Sequence, residues 1–190
     1  MRIYVVDNGG QWTHREWRVL RDLGVDAKIV PNTTPLSDLA DATGIVLSGG
    51  APRVGLNDTL GNCAEYIERA GVPILGICAG HQFIARHFGG GVAPGVTPEF
   101  GKMEITLTPE GPSSPLLQGV PERSIVWESH NDEVAQMPDG FRLLASSPSC
   151  RVQAMEHATR PIYGLQFHPE VEHTQFGRRM FQNFVDVCKR

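Results

Sequence analysis

Basic residues are in the minority in this chain of 190 residues. Lysine and arginine total 17 against 21 aspartates and glutamates, for a formal charge of −4. No Lys/Arg cluster breaks that balance, so the electrostatic footprint of a nucleic-acid binder is missing. No apolar run approaches the length of a membrane span. The opening "MRIYVVDNGG" enters a short β-rich run directly, without the apolar stretch and small-residue cleavage site of a secretion signal. A cytoplasmic protein that touches neither nucleic acid nor membrane is the expectation. Cysteine is sparse too: Cys63, Cys78, Cys150 and Cys188 lie far apart with no C-x-x-C pair. That spacing suggests neither a zinc centre nor a dithiol motif, so free thiols and no metal are expected. The N-x-S/T matches at Asn32 and Asn57 carry no weight in such a setting.

Phosphate-binding glycine loops are also wanting. "GGGVAPG" (89–95) follows a helical segment and leads into irregular sequence. A dinucleotide fingerprint needs its glycines between a strand and a helix, so a helix-ending turn is the better reading. "SGGAPRVG" (48–55) does follow a strand, but it has no Gly-Lys-Ser/Thr to hold phosphates.

What is present is an ordinary globular composition, 41% apolar and 20% charged, in a length that suits one domain. In the first half, short β-rich runs at residues 2–7, 27–31, 44–50 and 72–78 alternate with helical stretches at 11–24, 58–71 and after 78. Buried β-runs alternating with helices predict a parallel sheet with crossovers. The second half changes character. Strand-like segments at 102–108, 124–134, 142–147, 152–157 and 162–171, joined by turn residues, predict antiparallel additions to the sheet. A last helix presents Phe176, Met180, Phe181, Phe184, Val185 and Cys188 on one face. The fold class is α/β: a single domain, its central, mostly parallel sheet flanked by helices, with antiparallel additions.

One corner concentrates the chemistry. In "GICAGHQ" (76–82), Cys78 lies between Gly76 and Gly80 at the junction of an apolar strand and a helix. An isolated cysteine is most simply a small buried hydrophobe. Here the flanking glycines fit G-x-nucleophile-x-G, a nucleophile elbow. Its tight turn exposes the central residue, and glycine lets neighbouring backbone approach without a Cβ clash. The following helix N-terminus favours a thiolate, and its free amides can hold an oxyanion, the N–H of Ala79 first among them. Cys63 and Cys188, on apolar helix faces, and Cys150 have no such setting and are left to packing.

A thiolate needs an acid–base partner. His81 and His87 follow Cys78 on the same helix and read as surface or packing residues; His14 and His157 have no partner pattern. His168, in "GLQFHPEV", is followed two residues later by Glu170. In extended chain, i and i+2 share a face, so the carboxylate can orient the imidazole. H-x-E by itself is a weak signal and reads better as a chance surface pair.

Taken together, "GICAGHQ" and "FHPEV", about ninety residues apart, resemble the class I, triad-type glutamine amidotransferases. So do "DNGGQ" (7–11), "LSGG" (47–50) and "WESHNDEV" (127–134), and the likeness spans residues 1–190 as one amidotransferase domain. It implies that Cys78 attacks the carboxamide of glutamine, that His168 shuttles the proton, and that Glu170 orients His168. It also implies an oxyanion hole from the backbone of Gly50 and Ala79, and substrate contacts at Gln82, Ser129, His130 and Asn131. The family's S-G-G-P loop stands here as Ser48-Gly49-Gly50-Ala51-Pro52, with the proline displaced by one position.

Such domains feed ammonia to a synthase. "HPEVEHTQFG" (168–177), "SHNDEV" and "PNTTP" (31–35) are similar to the glutaminase part of GMP synthases, especially the stand-alone archaeal type. Thr174 reads independently as an N-cap for the final helix. The S-G-G-x-D-S loop of the ATP-pyrophosphatase is not found. The resemblance therefore implies, as partner, a separate ATP-pyrophosphatase subunit that would bind ATP and Mg and aminate XMP, and it implies no cofactor in this chain. Two alternatives stand beside it: a glutaminase serving another synthase, and a non-catalytic regulatory subunit with a vestigial site.

Overall fold

A computed structural model describes residues 1–51, 53–54 and 59–190. Asn57 and the displaced Pro52 lie outside the described residues. In chain order the elements are β1 (Arg2–Asn8), α1 (Thr13–Asp22), β2 (Asp26–Pro31), β3 (Gly44–Gly50), α2 (Cys63–Arg69), β4 (Ile74–Ile77), α3 (Ala79–His87), β5 (Gly91–Leu107), β6 (Arg123–Gln136), β7 (Phe141–Ser146), β8 (Ala154–His157), β9 (Ile162–Leu165) and α4 (Gly177–Val187). The strands form one sheet in the order β2-β1-β3-β4-β9-β8-β7-β5-β6. From β2 to β9 in that order the pairings are parallel, and from β9 to β6 they are antiparallel. The expected α/β architecture is present, with an antiparallel part as extensive as the parallel one.

Side-chain alternation explains why the sheet is covered on both faces. Ile3 and Val5 of β1, Val46 of β3 and Leu75 of β4 enter one core with Leu20 of α1 and Phe181 and Phe184 of α4. Tyr4, Val6, Ile45, Leu47 and Ile74 enter the other, with Tyr66 and Ile67 of α2 and Phe83 and Ile84 of α3. Among the described residues, no helix is long and apolar enough to cross a membrane.

One stretch departs from expectation. The helix-ending turn expected at residues 89–95 and the irregular sequence expected after it give way, from Gly91 onward, to the long strand β5. Val92, Ala93 and Pro94 pair with Val134, Glu133 and Asp132 of β6, and the register shifts between Pro94 and Glu99. Cross-strand pairing overrides the local turn signal. Proline is tolerated beside a bulge, where it interrupts the ladder least.

The topology brings the C-terminal ends of β1, β3, β4 and β9 together. Asn8 cross-links the first two: its N–H donates to Ser48 Oγ and its Nδ2 to Ser48 O, both at 3.0 Å. The segments 7–11 and 47–50, far apart in sequence, thereby share one edge with Cys78 and His168. That edge is where open α/β sheets bind their ligands.

Candidate active site

β4 ends at Ile77 and α3 begins at Ala79, so Cys78 alone makes the corner. Its φ of 49° and ψ of −104° are strained for a residue with a side chain, at a cost of about 1–3 kcal/mol. Two hydrogen bonds hold it there: Cys78 N–H donates to Leu165 O (2.8 Å), and Cys78 O accepts from Gln82 N–H (2.9 Å). The flanking glycines are sterically required. A Cβ on Gly76 would come within 2.6 Å of the Gly80 carbonyl carbon, and one on Gly80 would run into the Leu47 carbonyl. Cys78 retains 8% exposure and so is open to a small substrate. Burial pushes Cys63 and Cys188 up to about 12, and Cys150 upward as well.

His168 follows β9, and its environment fixes it on several sides. Its N–H donates to Trp127 O at 2.9 Å, and Nδ1 lies 2.7 Å from Glu170 Oε1. Trp12 meets the ring edge-on at a centroid distance of 4.5 Å. Burial opposes an imidazolium here. The charge of Glu170 and hydrogen bonds with Cys78 and Glu170 outweigh it, holding His168 well above its ordinary value. Glu170 engages Nδ1, which leaves Nε2 as the nitrogen to serve Cys78. The sequence-predicted triad is thus brought together.

Two details of that reading are corrected. Residues 169–170 form a turn rather than extended chain, so the His168–Glu170 contact comes from the chain folding back after Pro169, not from strand alternation. Thr174 is not the N-cap of α4. Phe176 opens that helix in a left-handed conformation. The Thr174 hydroxyl donates to His168 O (2.7 Å) and accepts from Trp127 N–H (2.9 Å), tying the His168 loop to β6. His81 is a packing residue. It is fully buried, with Nε2 3.2 Å from Val152 O, and burial lowers it to about 3.

Cys78 stands in a wall shared by two hollows. One, of about 90 Å³, is lined by Gly50, Ala51, Arg53, Ala79, Gln82 and Ser129–Asp132; it brings together all the residues expected to form the oxyanion hole and the substrate contacts. The other, of about 110 Å³, lies toward residues 9–13, Glu16, Gly49 and His168. Ala79 is the first residue of α3, where backbone amides lack intrahelical acceptors. Gly50 closes β3 opposite it. Gln82 lines the smaller hollow but spends its amide on structure, donating to Asp132 O (2.6 Å) and to Gln166 Oε1 (3.2 Å).

Ser129, His130 and Asn131 lie on β6. Ser129 O is 3.9 Å from Cys78 Sγ, and Asn131 is exposed beside the hollow. His130 turns inward, with Nε2 2.9 Å from Glu99 and 3.3 Å from Glu128, and Nδ1 3.0 Å from Asp132 O. Burial disfavours its charge, but the two glutamates outweigh burial and push it up to about 10. Glu99, His130 and Cys150 bring their donor atoms within 4.8 Å of one another. Glu99 is already committed, accepting from Ser147, Ser149 and Gln153 as well as facing His130, so the cluster reads as a structural network beneath the substrate segment.

Several neighbours of the site escaped the sequence reading. Arg53 pairs with the buried carboxylate of Asp132 in the hollow's wall. Gln166 places Nε2 3.8 Å from Cys78 Sγ. Glu16 and Trp12 arrive from α1 and the turn before it. Gln166 had a usable signal, since it lies two residues before His168 on the same chain; the others had none.

Comparison with known proteins agrees with this geometry. The family model for class-I glutamine amidotransferases matches residues 4–188. The glutamine-hydrolysing GMP synthase subunit of Thermoplasma acidophilum is 56% identical over 99% of this chain and 93% of its own length. That of Thermococcus kodakarensis is 50% identical over 98% of both chains. A crystal structure provisionally assigned as a GMP synthase subunit from T. acidophilum superposes with a TM-score of 0.93. It is 55% identical, and the match covers all of this chain and 94% of that one.

Proposed function

This chain belongs to the class-I glutamine amidotransferase family, and on that premise we propose that it is the glutaminase subunit of a two-chain GMP synthase. The observation that carries the reading is the set Cys78, His168 and Glu170 assembled at a strained strand–helix corner beside a hollow sized for a small substrate.

The chemistry follows from the residues. Cys78 as thiolate attacks the carboxamide carbon of glutamine, and the tetrahedral oxyanion is held by the backbone amides of Gly50 and Ala79. His168, as imidazolium, gives its proton to the departing ammonia and leaves a γ-glutamyl thioester on Cys78. The neutral ring then takes a proton from water, which attacks the thioester. Glutamate leaves, and the proton returns to the Cys78–His168 pair. Glutamine and water become glutamate and ammonia. Glu170 keeps Nδ1 engaged throughout, so Nε2 does the proton transfer. The backbone of Ser129–Asn131 receives the amino acid end of the substrate, and Gln82 braces that segment through Asp132 O.

Ammonia passes to a separate ATP-pyrophosphatase subunit that binds ATP and Mg and aminates XMP. Support for this partner comes from the relatives, each named as one subunit of a GMP synthase, and from "HPEVEHT" at and after the catalytic histidine. The test is a glutaminase assay of this chain with and without the synthetase subunit, ATP and XMP. Weak hydrolysis alone and stimulation by the full mixture are expected. The proposal fails if the pair makes GMP from ammonium and never from glutamine. Cys78→Ala should abolish glutamine use while leaving binding to the partner largely intact; loss of binding would assign Cys78 a structural role instead.

A further inference from the structure

The proposed reaction leaves one buried acid without a task. Glu16, on the first turn of α1, is 1% exposed and lines the hollow that also borders Cys78 and His168. Its Oε1 accepts from Gly49 N–H at 3.4 Å, and among the described residues its Oε2 has no hydrogen-bond partner. Gly49 in turn is wedged against the catalytic groups. A Cβ built there would lie 3.1 Å from His168 Cε1 and 3.6 Å from Cys78 Cβ. The next residue, Gly50, is the expected oxyanion donor. A line of contact therefore runs from Glu16 through one peptide to the place where negative charge develops.

We propose that Glu16 is a positioning residue for glutamine hydrolysis: a buried carboxyl that props the Gly49–Gly50 segment against Cys78 and His168. The inference rests on the reading of this site as a glutaminase. A charged Glu16 would be costly. The ionisable groups facing it are Cys78 from the β4–α3 corner and His168 and Glu170 from the loop after β9. Burial, with the repulsion of Glu170 added to it, pushes its carboxyl well above the ordinary range, beyond what His168 and the Gly49 amide can offset. A neutral acid still accepts from Gly49 N–H, and it spares the His168–Glu170 pair a second negative charge.

The test compares Glu16→Leu with Glu16→Gln, each in complex with the synthetase subunit. Leucine fills the space but accepts no hydrogen bond, whereas glutamine reproduces the neutral acid. With Leu, kcat for glutamine hydrolysis should fall about tenfold or more, because the oxyanion donor is misplaced. KM should stay within about twofold, and Gln should recover most of the loss. A second readout separates positioning from misfolding. Alkylation of Cys78 by iodoacetamide develops no oxyanion, so its rate should be similar in all three proteins. Infrared difference spectra should show the C=O stretch of a protonated carboxylic acid that Glu16→Gln lacks.

Equal kcat for Leu and wild type would overturn the proposal, as would a Gln variant no better than Leu. A parallel fall in alkylation would reduce Glu16 to a packing residue and overturn it as well. If wild type itself hydrolysed no glutamine in the complex, the glutaminase reading would fall, and that result is distinct from all of these.

Discussion

His168 Nδ1 and Glu170 Oε1 are 2.7 Å apart, with only Pro169 between them in the chain. The contact exists because the backbone turns at residues 169–170, and Val171 N–H closes the turn on His168 O at 3.3 Å. Glu170 therefore holds the ring's orientation and its charge together. Glu170→Gln keeps the shape and removes the charge. Glutamine hydrolysis should fall about a hundredfold or more, in the range typical of lost acid–base assistance. The sign of the accompanying titration is fixed. Burial lowers His168 and Glu170 raises it, so removing the charge must move the imidazole ionisation to lower pH. Ring-proton NMR across pH measures it. An unmoved titration would mean that Glu170 is not the group that sustains the imidazolium.

The corner at Cys78 was legible in the sequence for a physical reason, whereas His168 and Glu170 took their roles from the family resemblance. A residue on a strand-to-helix corner needs glycines at fixed offsets, and Gly76 and Gly80 are there because a Cβ at either would strike backbone. The alternation of strands and helices was equally readable, since the two cores take alternate residues of β1 and β3. What escaped were contacts made across the sheet. Thr174 looked like a helix cap because its type suits one, yet its hydroxyl is spent on His168 O and Trp127 N–H. Glu16 carries no local signal of its own, and only the topology brings it from α1 to Gly49 at the end of β3. The helix-ending turn expected at residues 89–95 yielded, at residues 91–94, to pairing with β6, which no local pattern announces.

Thr174 leads to a second prediction. Thr174→Val preserves volume but strips the His168 carbonyl of a donor and the Trp127 amide of its acceptor. The carbonyl keeps the Val171 N–H at 3.3 Å, but the Trp127 amide is left unsatisfied, which costs about 1–3 kcal/mol in stability. Because the same carbonyl belongs to the catalytic histidine, kcat should fall about tenfold, and Thr174→Ser should restore both properties. Chemical denaturation and steady-state glutaminase rates check the pair. A Val variant that lost stability but kept its kcat would show the clamp to be structural only.

His130 supplies the third. Its imidazolium, borne by the middle residue of the segment Ser129–Asn131, lies between Glu99 and Glu128, all three groups buried. Its folded-state value, about 10, lies above the ordinary 6.5. A raised value means that the stabilisation is fully present below about pH 6.5 and is lost as pH climbs through about 10. Unfolding free energy should therefore decline from pH 7 to pH 10. His130→Gln keeps a polar group but leaves two buried carboxylates without their counter-charge, at a cost of about 3–5 kcal/mol near neutrality. The variant's deficit should shrink as pH falls, because protonation then neutralises the carboxylates instead. Urea unfolding of both proteins from pH 5 to pH 10 reads the two curves directly. If the pair runs parallel, the network carries no net charge coupling. If the curves converge at acid pH while KM for glutamine rises in the variant, the buried cation is what keeps the substrate segment of β6 in place.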